Sequence, residues 1–174
     1  IIVFTSDHGD MVAAHGMYSK AGACGFEELF RVPTIIYIPG ITKPSSRVKT
    51  LASNIDLLPT ILEAVNIDSP AGMDGKSLIH VLKNTSAIHR KTIFAEGQSG
   101  DIICRHKNYK FWMNWRYQKK HEFYDLKNDP GEMNNLIDNK DYESEIENIR
   151  KLIIRWAKTS GHKYANLIEQ NAVA

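Results

Sequence analysis

Apolar residues run without interruption through Ile1-Ile2-Val3-Phe4 at the start of the chain. A short continuous run of this kind predicts a strand from Ile1 to Thr5, in a sheet covered on both faces. A second run from Pro33 to Ile38 predicts another buried strand, closed by Pro39-Gly40. The residues between, Ser6 to Gly25, are rich in Gly, Ala and polar types and predict a long functional loop. Phe26 to Phe30 adds a short helical turn. Leu58, Ile61, Leu62 and Val65 recur at helical spacing and predict a helix from Asn54 to Val65. Asp56 is the expected N-cap, with Pro59 tolerated in the first turn. Ser69 to Gly75 reads as a loop and Ser77 to Leu82 as a short helix.

From about Thr92 the period changes. Four short strands are expected: Thr92 to Glu96, Asp101 to Arg105, Tyr109 to Trp115 and Glu122 to Leu126. Tyr109, Phe111, Met113 and Trp115 alternate with Lys110, Trp112 and Asn114, which predicts one apolar face. His106-Lys107-Asn108 suits a hairpin turn, and Asn128-Asp129-Pro130-Gly131 is a strong turn signal. Ile146, Ile149, Ile153 and Trp156 then stripe a helix from about Tyr142 to Thr159, with Gly161 as its stop. The fold class expected is α/β in the first part, followed by a small antiparallel sheet with a helix packed on one face. A boundary near residue 88 divides the chain into 1–88 and 89–174.

Composition narrows the function classes. The chain has 174 residues, 43% of them hydrophobic, enough for a packed core. Lys and Arg number 22 against 20 Asp and Glu, and the basic residues are scattered, which argues against a nucleic-acid partner. The basic stretch from Arg116 to His121 reads as a solvated turn. No run approaches the ~20 apolar residues of a membrane span. Cys24 and Cys104 do not make a disulfide framework, and free thiols are the default. Ile1 lies inside a core-type run, so the expectation is a fragment of something longer.

The stretch that carries chemistry is Thr5-Ser6-Asp7-His8-Gly9-Asp10. It follows a buried-type strand, and α/β sheets bind ligands beyond the carboxyl ends of their strands. Asp7 offers a hard oxygen and His8 an imidazole nitrogen, a pair suited to a divalent cation. Neighbours on a regular strand face opposite ways, so both reach one ion only where the strand breaks, which Gly9 permits. The bland alternative makes Asp7 a turn cap and His8 a buried, satisfied imidazole. Lys20 is an ordinary surface lysine unless an anion lies between it and the cation, in which case its ammonium neutralises the far side. His15 reads either as support for such a site or as loop packing.

These residues carry a resemblance. Thr5 to Asp10, His15-Gly16, Lys20, Arg31-Val32-Pro33-Thr34-Ile35-Ile36 and Pro39-Gly40 resemble the C-terminal half of the sulfatases, within the alkaline phosphatase superfamily. Asn54 to Leu62 and Gly72-Met73-Asp74-Gly75-Lys76-Ser77-Leu78 look like the family's following helix and loop. Phe123-Tyr124-Asp125-Leu126, Asp129-Pro130-Gly131-Glu132 and Asn134-Asn135-Leu136 are similar to its C-terminal signature. The matches run in order from residue 1 to about 136. The resemblance implies a partial alkaline-phosphatase-like sheet with helices in 1–88, and the family's small C-terminal subdomain in 89–174.

It also implies roles. Asp7 and His8 would be metal ligands, Lys20 would contact the sulfate group, and His15 joins Lys20 as a candidate catalytic residue. The family's metal is usually calcium, although the imidazole of His8 leaves manganese, magnesium or zinc open. The substrate implied is a sulfate ester, a sulfated carbohydrate among the candidates, and the family is often exported or lysosomal. One departure stands out. The family's nucleophile motif Cys-x-Pro-Ser-Arg, or its Ser form, from which formylglycine arises, is absent from these residues. Two ligands fall short of the ~6 that calcium prefers. The expectation is a chain that binds metal weakly and is inactive alone. The alternatives are a phosphonate monoester hydrolase or phosphodiesterase of the same superfamily, or a non-catalytic structural fragment.

Overall fold

A computed structural model describes residues 1–20, 25–97, 101–113 and 121–172. The chain divides into two compact units. Unit 1 comprises Ile1–Asp10 and Phe30–Ile93; unit 2 comprises Met11–Leu29 and Phe94–Ala174.

In unit 1, strand β1 (Ile2–Phe4) pairs antiparallel with β2 (Ile35–Tyr37), Val3 opposite Ile36. The expectation of strands covered on both faces is not met among the described residues. Ile2 is 65% exposed and Phe4 59%, while Val3 and Ile36 are half-buried, so one face of this two-stranded sheet is uncovered by the described residues. A 3₁₀ turn at Asn54–Asp56 leads into α2 (Leu57–Ala64), α1 (Glu27–Phe30) having come earlier in the chain. Asp56 does not cap α2 as expected. Its carboxylate turns back to accept from the Ser53 N–H at 2.9 Å, the return half of a capping box. The apolar stripe also sits differently, since Leu58 and Val65 are exposed while Pro59 and Thr60 are buried. Thr60 decides this. Its hydroxyl donates to the Asp56 carbonyl at 2.6 Å and accepts from the Leu78 N–H at 2.8 Å, which draws that edge toward α3 (Ile79–Lys83).

Asp56 is the hub of unit 1. Besides Ser53 it accepts from the Lys76 N–H at 2.9 Å, Arg90 Nε at 2.9 Å and His89 Nε2 at 3.0 Å, and Arg90 closes on its other oxygen as well. Burial alone would push this carboxyl up. The donors from Arg90, Lys76, Ser53 and His89 outweigh burial and hold it below the ordinary carboxylate range. His89 moves down too, chiefly because burial disfavours its charged form.

In unit 2, β3 (Thr92–Glu96), β4 (Ile102–His106), β5 (Tyr109–Met113) and β6 (Glu122–Asp125) form a four-stranded sheet in that order, β3 entering the unit at Phe94. The β4–β5 and β5–β6 pairings are antiparallel, with Cys104 opposite Phe111 and Phe111 opposite Phe123. The hairpin turn falls where expected, Lys107 taking a positive φ of 53°. Helix α4 (Glu143–Thr159) lays Ile146, Ile149, Ile153 and Ala157 on Ile102, Phe111, Met113 and Phe123. Gly161, at φ 67°, stops it. A second helix, α5 (Ala165–Ala172), was not expected; Ile168 seats it in the same core.

The other face of this sheet is the larger surprise. Lys110 and Trp112, expected on the polar side, are buried, Lys110 at 1% exposure. Phe26 packs on Trp112 from α1's N-terminal side, with ring centroids 5.9 Å from Trp112 and 6.3 Å from Tyr124, and Glu27 and Glu132 meet Lys110. Cys104 is a free, buried thiol whose ionisation burial disfavours, so it packs as an apolar side chain. Cys24, Trp115 and the basic stretch 116–120 lie outside the described residues. No helix among the described residues is long and apolar enough to cross a membrane.

Candidate functional site

β1 ends at Phe4, and the chain bends at Asp7. The bend removes the alternation of a strand, so Asp7 and His8 project to the same place. Asp7 Oδ2 lies 3.4 Å from His8 Nε2. Local bonds hold the loop in this form. The His8 N–H donates to Asp7 Oδ1 at 2.9 Å, and the Ser6 hydroxyl donates to the His8 carbonyl at 2.7 Å. The Asn54 amide donates to the Ser6 carbonyl at 3.0 Å, tying the loop to the turn before α2. The His8 N–H bond is the main reason the Asp7 carboxyl sits below the ordinary carboxylate range.

The tautomer of His8 follows from one contact. Nδ1 lies 2.7 Å from the Gly9 carbonyl, which can only accept, so Nδ1 carries the proton. In the neutral ring Nε2 then presents its lone pair toward the same space as the exposed Asp7 carboxylate. Holding one ring nitrogen on a backbone carbonyl is how metal-ligating histidines are oriented. The donor set fits a divalent cation, which Asp7 and His8 would hold. Among the described residues no group of three or more His, Cys, Asp or Glu side chains is placed to complete such a site.

His15 and Lys20 belong to unit 2. The Met11 N–H donates to the Ser19 carbonyl at 3.1 Å and closes the loop between them. His15 has a positive φ of 52°, and its ring stacks on Phe26 with centroids 3.7 Å apart and planes 7° from parallel. Its Nε2 lies 4.0 Å from Glu28 Oε2. Lys20 is exposed. The structure thus brings Asp7 together with His8 in one unit and places His15 and Lys20 on a single loop of the other. Phe26 and Glu28 were not singled out from sequence. The only signal for them is their place at the end of the Gly-rich loop.

Comparison with known proteins gives this loop its context. Residues 13–159 match the family model described as N-sulphoglucosamine sulphohydrolase, C-terminal. The chain belongs to the sulfatase family. It is 30% identical over 162 residues to an arylsulfatase of Clostridium perfringens, a match covering 89% of this chain and 33% of that protein. This sulfatase chain therefore spans about a third of the relative it matches. It also superposes, with a TM-score of 0.85 and 27% identity, on a protein solved in complex with its substrate D-glucosamine-2-N,6-O-disulfate, covering 94% of this chain and 35% of that one. A phosphonate monoester hydrolase of Agrobacterium radiobacter shares the fold at 24% identity, with a TM-score of 0.74 and coverage of 90% and 35%. The α/β class with an antiparallel C-terminal sheet is that of the sulfatase C-terminal portion.

Proposed function

We propose that this chain supplies part of the metal-binding and anion-binding apparatus of a sulfatase acting on a sulfated carbohydrate, an amino-sugar sulfate being the favoured class. One observation carries the reading. The carboxylate of Asp7 and the lone pair of His8 Nε2 meet 3.4 Å apart in the loop after β1, with the imidazole tautomer set by the Gly9 carbonyl. Asp7 and His8 would hold a divalent cation there, and that cation would supply Lewis acidity toward the ester oxygens. Lys20 contributes an ammonium to the sulfate oxygens, where charge builds as the ester bond breaks. His15 gives a proton from Nε2 to the alcohol oxygen as its bond to sulfur breaks, the ring held by the stack on Phe26. The substrate class is supported by the matching family model and by the sulfated glucosamine bound in the superposed structure.

The test is a set of single substitutions in the full-length protein, assayed on a chromogenic aryl sulfate and on glucosamine-6-sulfate. Asp7→Ala and Lys20→Ala should each lower kcat by about 100-fold or more, the scale seen when one transition-state charge partner is lost. Near-wild-type rates would remove both roles. Chelation followed by titration with calcium, manganese, magnesium and zinc identifies the metal, and Asp7→Ala should weaken retention of that metal by at least about tenfold. Faster turnover of a phenylphosphonate than of any sulfate ester would replace this reading with the phosphonate one. The 174-residue chain alone, lacking Cys-x-Pro-Ser-Arg, should leave aryl sulfate intact.

A further inference from the structure

The charged groups buried under the segment that carries His15 are not absorbed by the roles above. Glu132 ends the turn Asp129-Pro130-Gly131-Glu132 at a positive φ of 53°, and its side chain is buried. Its Oε1 lies 2.6 Å from Lys110 Nζ. Its Oε2 accepts from the Glu27 N–H at 2.7 Å. Glu27 returns to the same lysine, Oε1 to Nζ at 3.4 Å, and reaches Arg105 at 3.8 Å. Directly before Glu27 stands Phe26, the ring on which His15 stacks. Gly25 before it lies so close to Trp112 that a Cβ would meet the indole ring at 2.9 Å.

A buried ion pair is a poor way to gain stability, because desolvation cancels most of the attraction, whereas it fixes geometry well. Here the fixed object is not a strand of the sheet but a backbone N–H of the loop segment. We propose that Glu132, held by Lys110, is a positioning residue for His15: it clamps the Glu27 backbone to the C-terminal sheet and so sets the Phe26 ring against which the imidazole rests. The sheet and turn of the C-terminal subdomain thereby aim a catalytic group rather than merely fill space. The catalytic consequence rests on the role proposed for His15; the clamp itself does not.

Hydrogen exchange and kinetics on the full-length protein test the two parts separately. In Glu132→Ala the amides of residues 11–20 and 25–29 should exchange about tenfold faster or more, the scale of one lost charge-assisted hydrogen bond. The amides of β4 and β5 should keep their rates. Glu132→Gln, whose amide oxygen still accepts from Glu27, should restore most of that protection. Lys110→Met with Glu132→Leu guards against misfolding, since it replaces the ion pair by apolar groups yet leaves the Glu27 N–H without its acceptor. It should show the same selective loosening. Unchanged exchange in 11–29, or equal acceleration across β4 and β5, overturns the clamp. Glu132→Ala should also lower kcat about tenfold or more with KM little changed, as a misplaced group does, and Glu132→Gln should recover part of it. If His15→Ala leaves kcat untouched, the role of His15 falls while the exchange result still decides the clamp.

Discussion

Asp56 in unit 1 and Glu132 in unit 2 are both buried carboxylates that gather donors, and the two hubs are built on opposite principles. In unit 1, Asp56 receives donors from Arg90, His89 and two backbone N–H groups, so its charged form is oversupplied. In unit 2, Glu132 receives Lys110 and one N–H, while the carboxylate of Glu27 stands beside it. The consequence appears in their acidities. Asp56 is held below the ordinary carboxylate range, whereas Glu132 is pushed above it, burial outweighing the lysine. Burial pushes both carboxyls up, and the two differ in how far donors to the charged form offset it.

Removing the better-supplied hub should do the most harm. Asp56→Ala strands a half-buried guanidinium, a buried imidazole and two N–H groups, and should cost unit 1 about 3–5 kcal/mol in urea unfolding. A loss under about 1 kcal/mol, as at an exposed pair, would mean the hub is dispensable. At the other hub, Glu132→Ala should cost about 3 kcal/mol, while the double change of Lys110→Met with Glu132→Leu, which leaves only the Glu27 N–H without its acceptor, should cost about 1 kcal/mol. An equal penalty for both variants would erase the contrast. Gly25→Ala drives a methyl into the rigid Trp112 ring and should cost about 1–3 kcal/mol.

Acid should separate the units without mutation. His89 is depressed below its ordinary 6.5, so the unfolded chain takes up that proton first and unit 1 loses stability as pH falls from about 6.5. Asp56 adds to the loss below its ordinary 3.8. Glu132 has the reverse sign. Its contribution is full below the ordinary 4.5 and fades as pH rises through its higher folded value. Amide exchange in α2 should therefore accelerate relative to β5 as pH falls below the ordinary 6.5 of His89, and His89→Gln should flatten that trend. Parallel pH profiles in both elements would refute the opposed signs. The smallest effect is expected at the half-exposed Lys158–Glu169 pair, where Lys158→Ala should cost under about 1 kcal/mol.

The chain's pattern made its units easy to read in some places and hard in others. Strands β4 to β6, the hairpin at Lys107 and helix α4 with its Gly161 stop were legible, because period-two and helical stripes face a core built from their own neighbours. The same pattern misled at Lys110. Alternation says only that Lys110 and Trp112 share a face, and a lysine there implies solvent unless a remote segment covers it. Helix α5 escaped notice because one buried residue, Ile168, anchors it, too little for a periodic signal. In unit 1, Leu58 and Val65 fit the helical stripe, yet the hydroxyl of Thr60 turned a different edge inward.

The candidate site divides along the same line. Sequence alone determined that Asp7 and His8 stand next to each other before Gly9, where a broken strand brings neighbours together. It also determined the order of motifs by which the family is recognised. Only the tertiary structure decided which nitrogen of His8 the Gly9 carbonyl holds, what His15 rests on, and that Glu132 holds Glu27 across more than a hundred residues. The reason is physical. Local geometry is written in adjacent residues, whereas the partner of a buried charge is chosen by whichever distant segment packs over it, and no spacing along the chain encodes that distance.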